Sequence, residues 1–171
     1  MNNPPKPAPI VTFEEFDGLR QSLGKIVCTS GGFDPIHPGH ASCIQMSKQY
    51  GDTVVVVVNG DSFLKDKKGR PFMDLATRCQ IVSYIRGADY VIPFEIEDDR
   101  TVSAALERIK PHVFTKGGDR VGASTIPEWA VCQELGIEVV SGVGLRKLWS
   151  SSDALKEWGE YWGSRPGQAA D

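Results

Sequence analysis

Residues 31–40 read Gly-Gly-Phe-Asp-Pro-Ile-His-Pro-Gly-His, and they hold two of the chain's three histidines, His37 and His40. Two imidazoles three positions apart at a helix start face the same side. An imidazole N–H there is a donor that suits a phosphate oxygen. The paired glycines, Gly31 and Gly32, let the backbone turn sharply and approach a ligand closely. Pro38 suits the first turn of a helix. A helix start in turn attracts an anion through its free N–H groups and the positive end of its dipole. The stretch is not a P-loop, because G-x-x-x-x-G-K-[ST] is missing, and it is not a G-x-G-x-x-G dinucleotide fingerprint.

Three other segments offer related chemistry. Lys65, Lys67, Lys68 and Arg70 fall within Lys-Asp-Lys-Lys-Gly-Arg at 65–70, read as a loop whose lysines can fold over a triphosphate. Lys116, Gly117, Gly118 and Asp119 repeat the strand-then-glycine pattern, with Asp119 able to accept from ribose hydroxyls. Ser150, Ser151 and Ser152 open a helix and add hydroxyls to its free N–H groups, a further anion site. A zinc site can be drawn from Cys28, His37, His40 and Cys43, but the knuckle spacing is absent. The four cysteines lack a C-x-x-C pair and read as reduced, buried thiols.

These residues need elements to position them. Five apolar, β-branched runs, at 25–30, 53–59, 89–94, 112–116 and 137–142, have the continuous character of strands covered on both faces. Helical segments are expected at about 38–50, 74–86, 101–110, 126–135 and 151–161, several opened by Pro or Asp and closed by Gly. Strand and helix alternate. The expected fold is therefore α/β: a Rossmann-like, doubly wound, five-stranded parallel sheet with helices on both faces, in a single domain. The domain is placed at 23–162, after an N-terminal lead-in at 1–22 whose Pro-rich first ten residues are expected to be mobile, and before a flexible tail at 163–171. In such a sheet ligands bind beyond the carboxyl ends of the strands, where all four segments fall. Together they describe a nucleoside triphosphate pocket.

Composition narrows the class. With 171 residues and a formal net charge of −3, the chain lacks the basic face of a nucleic-acid binder. Its longest apolar run, Val54–Val58, is too short to span a bilayer, and the N-terminus lacks the apolar core of a signal peptide. A cytoplasmic protein without membrane or nucleic-acid partners is expected.

The H-x-G-H element at 37–40, with its preceding Gly-Gly-Phe-Asp, resembles the cytidylyltransferase-like nucleotidyltransferases over about residues 25–155. Two subfamilies compete. Lys-Gly-Gly-Asp at 116–119 is similar to the adenylyltransferase domain that activates heptose 1-phosphate. Ile-Arg-Gly-Ala-Asp-Tyr-Val-Ile-Pro at 85–93 is similar to glycerol-3-phosphate and phosphocholine cytidylyltransferases, and a phosphonate cytidylyltransferase is a third candidate. The resemblance implies transfer of a nucleoside monophosphate from CTP or ATP to the phosphate or phosphonate of a small acceptor, with release of pyrophosphate. Arg86 and its surroundings tilt the choice to CMP; a sugar 1-phosphate adenylyltransferase is the alternative. It implies catalysis by His37, His40, Lys67 and Lys68. It implies nucleotide contacts at Gly31, Gly32, Phe33, Lys116, Gly117, Gly118, Asp119 and Ser150–Ser152. Acceptor contacts are implied at Asp34, Asp61, Arg78, Arg86 and Arg120, with Mg²⁺ carried on the substrate phosphates and a homodimer as the common assembly. The segment before the serines departs from the glycerol-3-phosphate pattern and brings an unexpected Trp149. A non-catalytic nucleotide sensor on the same fold is a second class. An aminoacyl-tRNA synthetase fragment is disfavoured by the missing K-M-S-K-S and the acidic charge.

Overall fold

The computed structural model describes residues 6–96, 101–118, 122, 124–146 and 149–165. Strands β1 (Ile26–Gly31), β2 (Thr53–Asn59), β3 (Tyr90–Phe94), β4 (Val113–Lys116) and β5 (Glu138–Ser141) form one parallel sheet in the order β3-β2-β1-β4-β5. The five strands fall on the five apolar runs. Strand β2 shows why: every residue from Thr53 to Asn59 is buried. Val54, Val56 and Val58 pack with Ile44, Cys79 and Val82 on one face, while Val55 and Val57 pack with Phe16, Leu106, Phe114 and Cys132 on the other. Alternate side chains of a strand point to opposite faces, so a strand covered on both sides must be apolar throughout.

Helices α2 (Pro38–Ser47) and α4 (Leu75–Ser83) cover the first face. Helices α1 (Phe13–Leu19), α5 (Ser103–Ile109) and α6 (Trp129–Glu134) cover the second. Asp74 caps α4 by accepting from the Thr77 N–H at 2.7 Å, as an Asp before an apolar run should. Strands β2 and β3 lie on one side of β1, and β4 and β5 on the other. The winding reverses between β1 and β4, which opens a crevice at their carboxyl ends.

Two local readings change. Of the stretch 65–70, expected as a loop, residues 65–68 are the end of a helix, α3 (Asp61–Lys68). Leu64 is its single buried residue, so the apolar repeat that betrays a helix is missing. Its charges nonetheless suit a helix, with Asp61 in the first turn and Lys65, Lys67 and Lys68 in the last. The lead-in is also built into the domain from residue 8 onward. Ala8 N–H donates to Ser83 O, Val11 N–H to Val91 O, and Val91 N–H to Pro9 O, at 2.8, 2.9 and 3.0 Å. Thr12 and Glu15 form a capping box that starts α1, and Phe16 is wholly buried. Among the described residues no helix is long and apolar enough to cross a membrane.

Candidate functional site

A cavity of ≈ 380 Å³ lies beyond the carboxyl ends of β1 and β4. Of the residues singled out in the sequence, Gly31–Asp34, His37, His40, Lys67, Lys68, Lys116–Gly118 and Ser150–Ser152 line it. Asp119 and Arg120 lie outside the described residues.

The loop after β1 is shaped from within. Phe33 adopts a left-handed φ of 51°, uncommon for a residue with a bulky side chain, and its ring is buried. A Cβ at Gly31 would stand 3.2 Å from that ring, and one at Gly32 would stand 2.9 Å from Leu64 Cδ2. The glycines therefore make room for neighbouring side chains as well as for a ligand. Asp34 is 1% exposed, and its carboxylate accepts the N–H groups of Phe72 and Met73 at 2.8 and 2.9 Å. Its carboxylate ties two loops together and is committed to that task.

His37 caps α2 with its ring: Nδ1 accepts the Gly39 N–H at 3.1 Å. The acceptor role fixes a neutral ring with its hydrogen on Nε2. The His37 carbonyl also accepts from the N–H groups of His40 and Ala41, and Pro38 has none to offer. The expectation of free N–H groups at this helix start is thus overturned, because His37 itself uses them. What remains for an anion is the helix dipole and the imidazoles. The two rings stack with centroids 3.7 Å apart, and Phe33 meets His40 edge-on at 5.2 Å. Burial, then the neighbouring His37, Lys68 and Lys67, push the His40 pKa down to about 3. His40 is therefore neutral at physiological pH, and its buried Nδ1 has no hydrogen-bond partner among the described residues.

Lys68 donates to the Asp34 carbonyl, which brings the end of α3 over the glycine loop. Burial lowers its pKa, against the pull of nearby Asp34. On the far wall Ser150 caps α7 (Ser151–Gly163) by accepting the Asp153 N–H at 3.4 Å. Ser151 Oγ donates to Pro35 O at 2.7 Å, and Trp149 meets the His37 ring at 5.3 Å. The start of α7 is thereby set against the H-x-G-H loop.

Three acceptor candidates are placed elsewhere. Arg78 is wholly buried. It donates to Met73 O at 3.0 Å, Gly32 O at 2.8 Å, Asn59 O at 2.5 Å and Asp61 Oδ1 at 2.6 Å. Its guanidinium is an internal clamp, not a substrate contact. Asp61 is its ion-pair partner and stands beside the cavity without lining it. Arg86 is exposed in the turn between α4 and β3, at the amino end of the sheet, opposite the cavity.

The sequence candidates omit several lining residues. Lys116 Nζ lies 3.1 Å from Ser30 Oγ and 3.2 Å from Glu128 Oε2, a nearly buried ion pair at the cavity wall. Glu128 follows Pro127 just before α6, and its charge was the available signal. Only the fold brings it to Lys116. Among the described residues no group of three or more His, Cys, Asp or Glu side chains is placed to hold a metal ion.

The family model described as cytidylyltransferase-like matches residues 28–152. The chain belongs to the cytidylyltransferase-like family. This cytidylyltransferase-like chain is 38% identical over 123 residues to the bifunctional protein HldE of Aliarcobacter butzleri, covering 68% of this chain and 25% of that protein. It is 35% identical over 124 residues to the HldE of Streptomyces coelicolor, covering 71% of this chain and 26% of that one. The cytidylyltransferase-like chain thus spans about a quarter of the length of those relatives. Among solved structures it resembles a lipopolysaccharide core biosynthesis protein from Thermoplasma volcanium GSS1. That match has a TM-score of 0.61 and 27% identity, over 71% of this chain and 98% of that one. A pantoate-beta-alanine ligase from Francisella tularensis shares the fold at a TM-score of 0.60 and 16% identity, over 95% of this chain and 80% of that one.

Proposed function

We propose that this chain is a nucleotidyltransferase that moves AMP from ATP to the phosphate of a small acceptor of the heptose 1-phosphate type, releasing pyrophosphate. The observation that carries it is the meeting of the His37–His40 pair, Lys67, Lys68 and the start of α7 around one cavity at the switch point of the sheet. A tetra-anionic triphosphate is the ligand such a wall fits best. The tilt towards CMP rested on Arg86, and Arg86 stands at the other end of the sheet. The HldE relatives support the adenylyl reading in its place.

In this reading an acceptor phosphate oxygen attacks the α-phosphorus in line. The bond from that phosphorus to the bridging oxygen breaks, and the electron pair leaves with pyrophosphate. His37 donates from Nε2, His40 acts as a neutral donor, and Lys67 and Lys68 neutralise charge building on the leaving group. First-turn N–H groups and hydroxyls of α7 hold the terminal phosphates. Mg²⁺ would enter on the triphosphate as part of the substrate, as this ion commonly binds through substrate phosphates and water.

Thermal shift with Mg²⁺ and each of ATP, CTP, GTP and UTP, followed by pyrophosphate release on a panel of sugar 1-phosphates and alcohol phosphates, tests the reading. ATP should give the largest shift and an acceptor-dependent release. A larger shift with CTP would return the choice to a cytidylyltransferase. Tight binding without turnover on any acceptor would make the chain a sensor. His40→Ala should lower kcat about 100-fold or more, as loss of a transition-state donor does.

A further inference from the structure

Asn59 closes β2 and lines the cavity, and no role is assigned to it from the sequence. It is 7% exposed. Its side-chain Oδ1 is buried with no hydrogen-bond partner among the described residues. Leaving a buried acceptor unmade is unfavourable, and folded proteins rarely keep one without a use. The backbone around it is committed. The Asn59 carbonyl accepts from Arg78 Nη1, which also bonds Gly32 O, and the next N–H, of Gly60, donates to Phe94 O at 2.7 Å. The backbone that carries the carboxamide is thus fixed by the Arg78 clamp, while the side-chain Oδ1 has no partner among the described residues.

Its position within the sheet says what it faces. The crevice of a doubly wound sheet opens where the winding reverses, here between β1 and β4. Asn59 lies on β2, on the other side of β1 from Lys116, Gly117 and Gly118. With phosphates held at the starts of α2 and α7, and the nucleoside towards β4, the β2 side is left to the second substrate. A carboxamide is neutral and offers both a donor and an acceptor, which matches a hydroxyl group rather than a phosphate.

We propose that Asn59 is a specificity residue that hydrogen-bonds a hydroxyl on the neutral body of the acceptor, so that the site selects a polyhydroxylated phosphate over an alkyl phosphate. This rests on the nucleotidyltransferase reading for the identity of the second substrate. A site built to bond a hydroxyl rejects an analogue lacking it strongly, because its own polar group is left unpaired.

The test is calorimetric binding of mannose 1-phosphate, a heptose 1-phosphate and propyl phosphate to the full chain, in the presence of Mg²⁺ and a non-hydrolysable ATP analogue. The wild type should bind at least one of the sugar phosphates about 10-fold or more tighter than propyl phosphate. Asn59→Leu should erase that preference while leaving affinity for the ATP analogue and for propyl phosphate unchanged. Asn59→Ala removes the carboxamide without adding bulk, and serves should the leucine variant fold poorly; it should lose the preference as well. Equal binding of the three phosphates by the wild type, or an unchanged preference in the variants, overturns the proposal. A preserved Asn59-dependent preference without pyrophosphate release would instead overturn the enzymatic reading and leave Asn59 as an acceptor contact.

Discussion

His40 and Arg78 show how burial decides the work of a charged or titratable side chain. In the folded protein burial holds the His40 pKa down to about 3, against an ordinary value of 6.5. Between those values the unfolded chain binds a proton that the folded one refuses, so stability falls as pH drops from about 6.5 towards 3. The slope from this group is at most about 1.4 kcal/mol per pH unit. Melting temperature should decline from pH 6.5 to pH 5, above the range where most carboxylates titrate, and His40→Gln should flatten that decline. Equal slopes in the two proteins would show that His40 is not buried neutral. Arg78 is a separate case. Its four hydrogen bonds join the glycine loop, the end of β2, the 71–73 loop and Asp61. Arg78→Leu strands those acceptors and should cost about 3–5 kcal/mol, a fall in melting temperature of about 10 °C. Arg78→Lys should recover only part of it, because a single ammonium cannot replace a planar fork. A folded, stable Arg78→Leu protein with only weakened acceptor binding would restore the substrate role.

At the scale of elements, α7 is the piece set most loosely. It has no buried residue along Ser151–Gly163. Its start is held by the Ser151 bond to Pro35 O and by Trp149 against His37. Elements with little buried apolar surface open at low free-energy cost. Amide hydrogen exchange over 151–157 should therefore be fast in the free protein and slow with Mg²⁺ and ATP, as phosphates bridge α2 and α7. Ser151→Ala removes one net hydrogen bond, about 1 kcal/mol. It should raise the KM for the triphosphate about fivefold and lower the melting temperature by no more than about 4 °C. A drop in melting temperature with no change in KM would make the contact purely structural. The same scale explains why α3 escaped a sequence reading: one buried leucine sets no period.

For the whole molecule, the parallel sheet puts the cavity at one end and the Arg86 turn at the other. Arg86→Ala should therefore leave the KM values for ATP and acceptor unchanged within about twofold, as expected of an exposed residue away from the site. A tenfold loss in either would place Arg86 in the reaction after all. Both apolar clusters are built from described residues between Ala8 and Val140.

Local pattern in the sequence specified the five strands, the helices after them apart from α3, the glycine–histidine loop and the kind of chemistry to expect. These follow from local pattern: a strand buried on both faces must be apolar, and a phosphate wall needs donors at strand ends and helix starts. Only the tertiary structure decided which charges are free to meet a substrate. Arg78 and Arg86 are alike in sequence, yet one is sealed inside four internal bonds and the other faces solvent at the far end of the sheet. Asn59 and the Lys116–Glu128 pair came to light in the same way, because their burial and partners depend on contacts between residues distant in the chain.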